Sequence, residues 1–213
     1  MRAVPLGDSA ITIALGTVRS PELLKTVHAT AAALAAERFP EVQDIVPAYL
    51  GVAVFYNSHR ASYSELAAKL LAACERASNL RPVADAIREH EIPVTYDGAD
   101  LEQVSVSCGI SIDEVIASHS GRRYTVDLLG FVPGFAYLSE LDPLLQLPRR
   151  LQPRPRVPAG SVAIAGAQTA VYPLDTPGGW HLVGRTDEKM FDPERDPPAL
   201  LRAGDIVRFV SAP

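Results

Sequence analysis

The sequence has little of what several common protein classes require. Its 213 residues contain two cysteines, Cys74 and Cys108, which match no zinc or redox spacing and provide no disulfide framework. No apolar run approaches the length needed to cross a bilayer, and residues 1–5 do not begin the long apolar segment of a signal peptide. We therefore expect a cytoplasmic protein that does not associate with membranes.

An excess of positive charge is also lacking. The formal net charge is −5 at pH 7, which argues against the broad electrostatic contact that nucleic-acid binding needs. The basic residues are not interleaved with aromatic residues that could stack on bases. Four histidines show no mutual metal-ligand spacing: His28, His59, His90 and His181. We expect neither a nucleic-acid partner nor a metal.

Helix and strand signals alternate in the first half of the chain. Ser20 and Pro21 provide an N-cap and a proline at the first helical position, and Ser62 with Glu65 forms a capping box. These signals predict helices over about 21–39 and from residue 63. Strands are predicted at 10–15, 42–47, 51–56 and 92–96. The resulting order, β-α-β-β-α-β, is that of a ferredoxin-like unit.

The second half has shorter strand signals separated by glycine and proline. Ser111 and Glu114 form another capping box, which predicts a helix ending near His119. Strands are predicted at 124–129, 161–165, 170–172, 180–183 and 206–210. Short strands with turn residues between them favour a β-barrel or a sandwich. We predict an α+β protein with two domains, residues 1–88 and 89–213, and a boundary between Asn79 and Ile92.

Three segments of the second half combine glycine, proline and aromatic residues. Residues 130–137 read Gly-Phe-Val-Pro-Gly-Phe-Ala-Tyr, and they are followed by Val-Pro-Ala-Gly-Ser at 157–161 and Thr-Pro-Gly-Gly-Trp at 176–180. Glycine reaches backbone angles that other residues reach only at a cost, and proline fixes φ. Stiff, irregular loops of this kind hold aromatic rings in a shaped pocket, so we expect the functional site here.

A cluster of arginines follows the first of these segments: Arg149, Arg150, Arg154 and Arg156. Most charge clusters are solvated surface. Proline residues stiffen this one, which lowers the entropic cost of presenting guanidinium groups to a carboxylate or phosphate. The backbone N–H groups of Gly160 and Ser161 could bind the same anion. The pattern favours an anionic small molecule.

Other chemical signals leave alternatives open. His119 is a histidine that interacts with carbonyl groups at a helix end, a general acid or base, or a hydrogen-bond partner of the substrate. Residues 179–186, Gly-Trp-His-Leu-Val-Gly-Arg-Thr, resemble a phosphate loop, but Trp180 and Leu182 belong to a predicted strand, so we reject it. Ser161 does not lie in a nucleophile elbow and is best interpreted as a turn residue.

The motifs occur in an order typical of one family. They comprise residues 130–138, Pro148-Arg149, Pro153-Arg154, 157–162, Gln168-Thr169, Tyr172-Pro173, 177–180, 184–186, 191–193 and Gly204-Asp205. Over nearly the whole chain the sequence resembles the family of 5-oxoprolinase B subunits, also called allophanate hydrolase subunit 1 or KipI-like, a carboxyltransferase-domain family. Ala136 and Ala170 replace a proline and a glycine that are common in this family.

The resemblance implies a small ferredoxin-like α+β domain followed by a cyclophilin-like β-barrel. It implies a companion of related barrel fold, which is the 5-oxoprolinase C subunit or allophanate hydrolase subunit 2 type, and a third, LamB/YcsF-type subunit. Such a complex opens 5-oxo-L-proline to L-glutamate with ATP hydrolysis. The alternatives are a KipI-like inhibitor of a sensor histidine kinase and a subunit of an allophanate- or urea-related hydrolase or carboxyltransferase. Analogy between barrels adds prolyl isomerisation.

These observations lead to the hypothesis of a shared site for a small anionic amide. His119 would transfer protons or orient the amide, and Arg154 or Arg156 would hold the anion. An aromatic wall would exclude water, formed by Phe131, Phe135 and Tyr137. ATP would require the companion subunit. We predict His119 and Arg154 as catalytic residues. The predicted substrate-binding residues are Phe131, Pro133, Gly134, Phe135, Tyr137, Arg156, Gly160, Ser161, Gln168, Thr169, Tyr172, Gly178, Gly179 and Trp180.

Overall fold

The computed structural model describes residues 1–78 and 88–212, which fall into two units, Met1–Ala86 and Ile87–Pro213. The predicted boundary between Asn79 and Ile92 lies largely outside the described residues. None of the helices in the described ranges combines the length and the apolar composition that spanning a membrane requires.

The first unit is a four-stranded antiparallel sheet with two helices. Its elements are β1 (Arg2–Pro5), β2 (Ala10–Ala14), α1 (Pro21–Ala36), β3 (Val42–Pro47), β4 (Gly51–Tyr56) and α2 (Tyr63–Ser78), and the strand order is β1-β2-β4-β3. The predicted caps are formed: Leu23 N–H donates to Ser20 Oγ at 3.1 Å, and Ser62 and Glu65 exchange hydrogen bonds. Apolar side chains of the sheet and both helices form one core: Ile11, Ile13, Val27, Leu34, Val52, Val54, Leu66 and Leu70.

The second unit is a nearly closed barrel. Its elements are β5 (Glu89–Val94), α3 (Leu101–Cys108), α4 (Ile112–Ser120), β6 (Arg123–Leu129), β7 (Ala136–Ser139), a 3-10 turn (Pro143–Leu145), β8 (Arg154–Val157), β9 (Ser161–Ala165), β10 (Gln168–Val171), β11 (Thr176–Gly178), β12 (His181–Arg185) and β13 (Ile206–Ser211). Seven strands form a mixed sheet in the order β12-β9-β10-β7-β6-β13-β5, and β8 pairs with β11. Thr95 and Arg185, which follow β5 and end β12, exchange two backbone hydrogen bonds of 2.9 Å, so the sheet edges meet.

The two faces of the barrel sheet carry different side chains. Along β9, Val162 and Ile164 join a cluster that includes residues of α3 and α4, and we call this the helix-side face. Ala163 and Ala165 alternate with them and point to the opposite face, as period-two geometry requires. That second face, the aromatic face, carries Phe135, Val157, Ala170, Tyr172, Trp180 and Leu182.

One predicted strand belongs to a different sheet from the one expected. The ferredoxin-like order counts the strand predicted at 92–96 as the last strand of the first unit. In the structure this strand is β5, which lies in the barrel and pairs in parallel with β13. The edge beside β2 is occupied by β1 instead, whose Pro5 is acceptable at a sheet edge. Periodicity identifies a strand without identifying its partner. The strand lies within the predicted second domain, 89–213, and does not complete a ferredoxin-like order in the first unit, so that topology is not confirmed.

Closure of the barrel depends on a glycine. A side chain at Gly98 would collide with backbone atoms of Leu182 and Val183 in β12. At Gly130 an added Cβ would meet only Leu128 Cδ1, at 3.6 Å. We expect Gly98→Ala to lower the free energy of unfolding by about 3 kcal/mol in denaturant titrations, because backbone must move. Gly130→Ala is the control, and equal effects of the two substitutions would contradict this role of Gly98.

Candidate functional site

A pocket of about 210 Å³ lies on the aromatic face. Five aromatic side chains line it: Phe131, Phe135, Tyr137, Tyr172 and Trp180. The remaining lining residues are Arg149, Pro153, Pro177, Gly178 and Gly179. The structure thus brings together seven of the predicted substrate-binding residues, which are the five aromatic residues and the two glycines.

Phe135 is the centre of the aromatic wall. Its ring centroid lies 5.5 Å from that of Phe131, 4.9 Å from Tyr137, 5.3 Å from Tyr172 and 5.7 Å from Trp180, always edge to face. This geometry suits the quadrupoles of the rings and adds to the stabilisation from burial. Phe135 is buried, whereas Phe131 is 59% exposed at the rim. The wall is therefore rigid at its base and accessible at one side.

The loop before β7 places these rings by means of unusual backbone angles. Gly134 has a φ of 80°, and a Cβ there would lie 2.6 Å from Phe191 Cβ. Phe131 has a φ of 71°, a left-handed conformation that is costly for a bulky residue. Such strain persists only where surrounding structure imposes it, and it is commonest at functional sites. Pro133 belongs to this loop but does not line the pocket.

Arg149 is the cationic group at the pocket. Its side chain is exposed, and across residues 1–78 and 88–212 its guanidinium forms neither an ion pair nor a hydrogen bond. An arginine in this state can bind a carboxylate through two parallel hydrogen bonds. The sequence placed Arg149 in the arginine cluster, but nothing in the pattern distinguished it from its neighbours.

The other arginines of the cluster already bind carboxylates. Arg150 and Arg154 both donate to Asp100, which is 3% exposed, at distances of 2.6–2.8 Å. Burial alone would raise the pKa of Asp100, but hydrogen bonds from Arg154 and the Leu182 N–H, with the charges of both arginines, lower it below its ordinary value. Arg156 pairs with Asp175 on the surface. This geometry speaks against Arg154 or Arg156 as the anion-holding group.

His119 lies on the helix-side face and is completely buried. Its Nε2 is 2.8 Å from Thr169 Oγ1, and that hydroxyl donates its proton to Ala163 O at 3.0 Å. Thr169 must therefore accept from Nε2–H, which leaves Nδ1 to accept from Tyr96 Oη at 2.7 Å. Phe209 stacks on the ring at 4.6 Å. Burial lowers the pKa of His119 to about 3, so the ring is neutral.

These contacts give His119 a structural role. Both ring nitrogens are used, and the residue does not line the pocket. Its carbonyl oxygen accepts a hydrogen bond from Tyr124 Oη at 2.7 Å. The geometry does not support the predicted proton transfer at the pocket.

The remaining predicted residues also lie outside the pocket wall. Gly160 N–H donates to Tyr172 O at 2.7 Å and Ser161 N–H donates to Pro158 O at 3.3 Å, so neither is available to an anion. Gln168 Nε2 donates to the buried Asp127 at 3.2 Å. In the part of the chain that the structure describes, no three His, Cys, Asp or Glu side chains are grouped to hold a metal.

Residues 1–201 match the family model of the carboxyltransferase domain, subdomain C and D. A curated relative, the 5-oxoprolinase B subunit of Bacillus subtilis (strain 168), is 41% identical over 217 residues, which cover 96% of this chain and 90% of that protein. The chain belongs to the family of 5-oxoprolinase B subunits.

The fold of this chain is similar to those of solved structures. In the crystal structure of TTHA0988, the protein is 42% identical in sequence to this chain, and the two superpose with a TM-score of 0.84 over 96% of this chain. This chain spans 40% of the length of that solved chain. Urea amidolyase of K. lactis is 16% identical, with a TM-score of 0.78 over 99% of this chain and 15% of its own, which shows a shared fold.

The buried histidine makes stability depend on pH. Below pH 6.5 the unfolded chain takes up a proton on His119 that the native state, with a pKa of about 3, does not. His119 therefore lowers the free energy of unfolding as pH falls from 6.5 towards 3, by up to about 1.4 kcal/mol per pH unit. His119→Gln keeps one donor and one acceptor and does not titrate. We expect the stability difference between wild type and variant to shrink as pH falls from 7 to 5 in urea titrations. If the free energies of unfolding of wild type and variant change with pH in parallel, the assigned burial of His119 is contradicted.

Adjacent glycines at the pocket should respond differently to substitution. A Cβ at Gly178 would collide with the hydroxyl of buried Tyr172, whereas a Cβ at Gly179 would meet Pro153 Cγ at 3.6 Å, an ordinary contact. We expect Gly178→Ala to displace Tyr172 at a cost of about 2 kcal/mol. Trp180 is the only tryptophan of the chain, so its fluorescence reports the change. Gly179→Ala should leave the emission spectrum unchanged, and identical spectra for both variants would refute the close contact.

Proposed function

We propose that the protein is the B subunit of a 5-oxoprolinase-type hydrolase, and that the aromatic pocket contributes the binding site for 5-oxo-L-proline. The curated relative from Bacillus subtilis, which matches over most of both chains, carries that name. In the proposed reaction, water adds across the lactam amide with ATP hydrolysis and L-glutamate is formed.

The observation that carries this proposal is the combination of Arg149 with the aromatic wall. 5-Oxo-L-proline is a small, nearly flat five-membered lactam that bears one carboxylate. The ring can pack on Phe135 and Trp180 while the carboxylate pairs with the guanidinium. The pocket, at about 210 Å³, is smaller than the roughly 300–1,000 Å³ of drug-sized sites. Size, charge and apolar lining all suit such a ligand.

The chemistry at this pocket requires a second protein. The ten lining residues include no carboxylate, histidine, cysteine or lysine. Burial raises the pKa of Tyr172, which keeps its hydroxyl protonated at neutral pH. We infer that a companion subunit supplies the acid-base groups and covers the exposed rim at Phe131. The names of the relatives, each of which denotes one subunit of 5-oxoprolinase, support a multi-subunit assembly.

We place ATP on the companion as well. None of the four α-helices in the described ranges begins after a glycine-rich loop, the usual phosphate cradle. We also propose that the barrel is cyclophilin-like. The proposed companion has a related barrel fold, and a third subunit is of the LamB/YcsF type. In this arrangement the present chain binds and orients the lactam.

The test is ATP-dependent formation of glutamate from 5-oxo-L-proline by the chain reconstituted with its companion subunits. Arg149→Ala should raise KM about 10- to 100-fold, because a hydrogen-bonded charge pair is lost. Arg123→Ala is the control, since Arg123 is an exposed arginine that pairs with Glu89.

Three results would contradict the proposal. One is the absence of glutamate formation by the complete complex. Another is an unchanged KM for Arg149→Ala. The third is tight inhibition of a sensor histidine kinase by a chain that supports no turnover, which would favour the regulatory alternative.

A further inference from the structure

Two residues of the pocket wall are each followed by an arginine bound to the same carboxylate. Arg149 and Pro153 line the pocket, and Arg150 and Arg154 come directly after them. Both arginines donate to Asp100, which does not line the pocket. We call residues 149–154 the arginine strap. Its two pocket-lining side chains are thus held indirectly by one buried acid.

Asp100 is fully committed to this contact. Its Oδ1 accepts from Arg150 Nη1 at 2.6 Å and from Arg154 Nη2 at 2.8 Å. Its Oδ2 accepts from Arg154 Nη1 at 2.8 Å and from Leu182 N–H at 2.7 Å. Asp100 is also the N-cap residue of α3, yet its side chain makes no capping bond. An aspartate at this position ordinarily caps the helix, so its carboxylate is used for the strap instead.

The strap is held against the opposite wall of the pocket as well. Arg150 N–H donates to Gly179 O at 2.8 Å, and Arg154 pairs with Gly178 across the β8–β11 ribbon. Gly178 and Gly179 line the pocket themselves. The strap has little regular structure of its own between these points. Its position therefore depends on the Asp100 carboxylate and on these two backbone contacts.

We propose that Asp100 is a positioning residue that holds the strap so that Arg149 faces the pocket. The proposal rests on the proposed function in one respect, which is that Arg149 binds the substrate carboxylate. Without the negative charge of Asp100, two partly buried guanidiniums lie close together uncompensated and repel each other. The strap then loosens and Arg149 loses its fixed orientation, so the ligand binds less well.

A closely matched control exists in the same unit. Asp205 is 4% exposed, against 3% for Asp100, and it also accepts hydrogen bonds from two basic side chains, one of them an arginine, and from one backbone N–H. Its partners are Arg88 at 2.5 Å, His90 at 3.2 Å and the Arg202 N–H at 2.8 Å. None of these residues lines the aromatic pocket. Asp100→Asn and Asp205→Asn therefore remove equivalent charges at different places.

Two measurements distinguish the variants. Hydrogen exchange at the Arg150 amide, which is bonded to Gly179, should be faster in Asp100→Asn and unchanged in Asp205→Asn. In the reconstituted complex, Asp100→Asn should raise KM for 5-oxo-L-proline by at least about tenfold, while kcat changes less. Asp205→Asn should leave both kinetic constants near the wild-type values.

If Asp100→Asn does not fold, milder substitutions replace it. Arg150→Met and Arg88→Met each remove one arginine from a buried carboxylate that keeps a second basic partner, and the two arginines are similarly exposed, at 31% and 37%. Arg150→Met should loosen the strap and raise KM, and Arg88→Met should do neither.

Slow exchange at the Arg150 amide in Asp100→Asn, or equally fast exchange in Asp205→Asn, would overturn the positioning role. An unchanged KM in a variant with a loosened strap would overturn it also. If the strap loosens in Asp100→Asn but the wild-type complex does not turn over 5-oxo-L-proline, the proposed substrate is wrong, whereas the positioning of the strap by Asp100 is still supported.

Discussion

The pocket depends on one buried carboxylate that holds two arginines. Asp100 lies between the end of β5 and the start of α3, and it binds the Leu182 amide of β12 together with Arg150 and Arg154. A buried charge is tolerated only when it is paired and hydrogen-bonded, and here both oxygens are saturated. This contact fixes a proline-rich segment without regular structure on the aromatic face of the barrel. Arg149 and Pro153 become pocket walls as a consequence.

The site is built for binding and orientation. Rings in edge-to-face contact, a strained loop and the exposed guanidinium of Arg149 line the pocket, and a preorganised surface of this kind suits the small anion that we propose as its ligand. His119, the residue predicted to transfer protons, lies elsewhere. It is neutral and fully hydrogen-bonded on the helix-side face, where Tyr96 and Thr169 fix its tautomer. This arrangement is the basis of our proposal that a companion subunit supplies the acid-base groups.

Local signals in the sequence predicted local features well. The capping pairs located α1, α2 and α4, and two of the three Gly/Pro/aromatic segments, 130–137 and 176–180, contribute to the pocket, because turn and cap chemistry acts over a few residues. Pairing over long distances was not predictable. The strand predicted at 92–96 was counted with the first unit but pairs in the barrel sheet. No helix was predicted at α3, although Asp100 is a residue type that favours a helix start. Contacts between distant residues also decide which arginine of the cluster is available to a ligand. Only the position of Asp100, some 50 residues away in sequence, distinguishes Arg149 from Arg150 and Arg154.

The most direct test of this account is a crystal structure of the subunit with its companion and bound 5-oxo-L-proline. We expect the lactam ring against Phe135 and Trp180, with its carboxylate about 3 Å from the Arg149 guanidinium nitrogens. We also expect the bonds from Arg150 and Arg154 to Asp100 to be intact. A lactam bound away from the aromatic face, with Arg149 in solvent, would contradict the proposed role of the pocket and of Arg149.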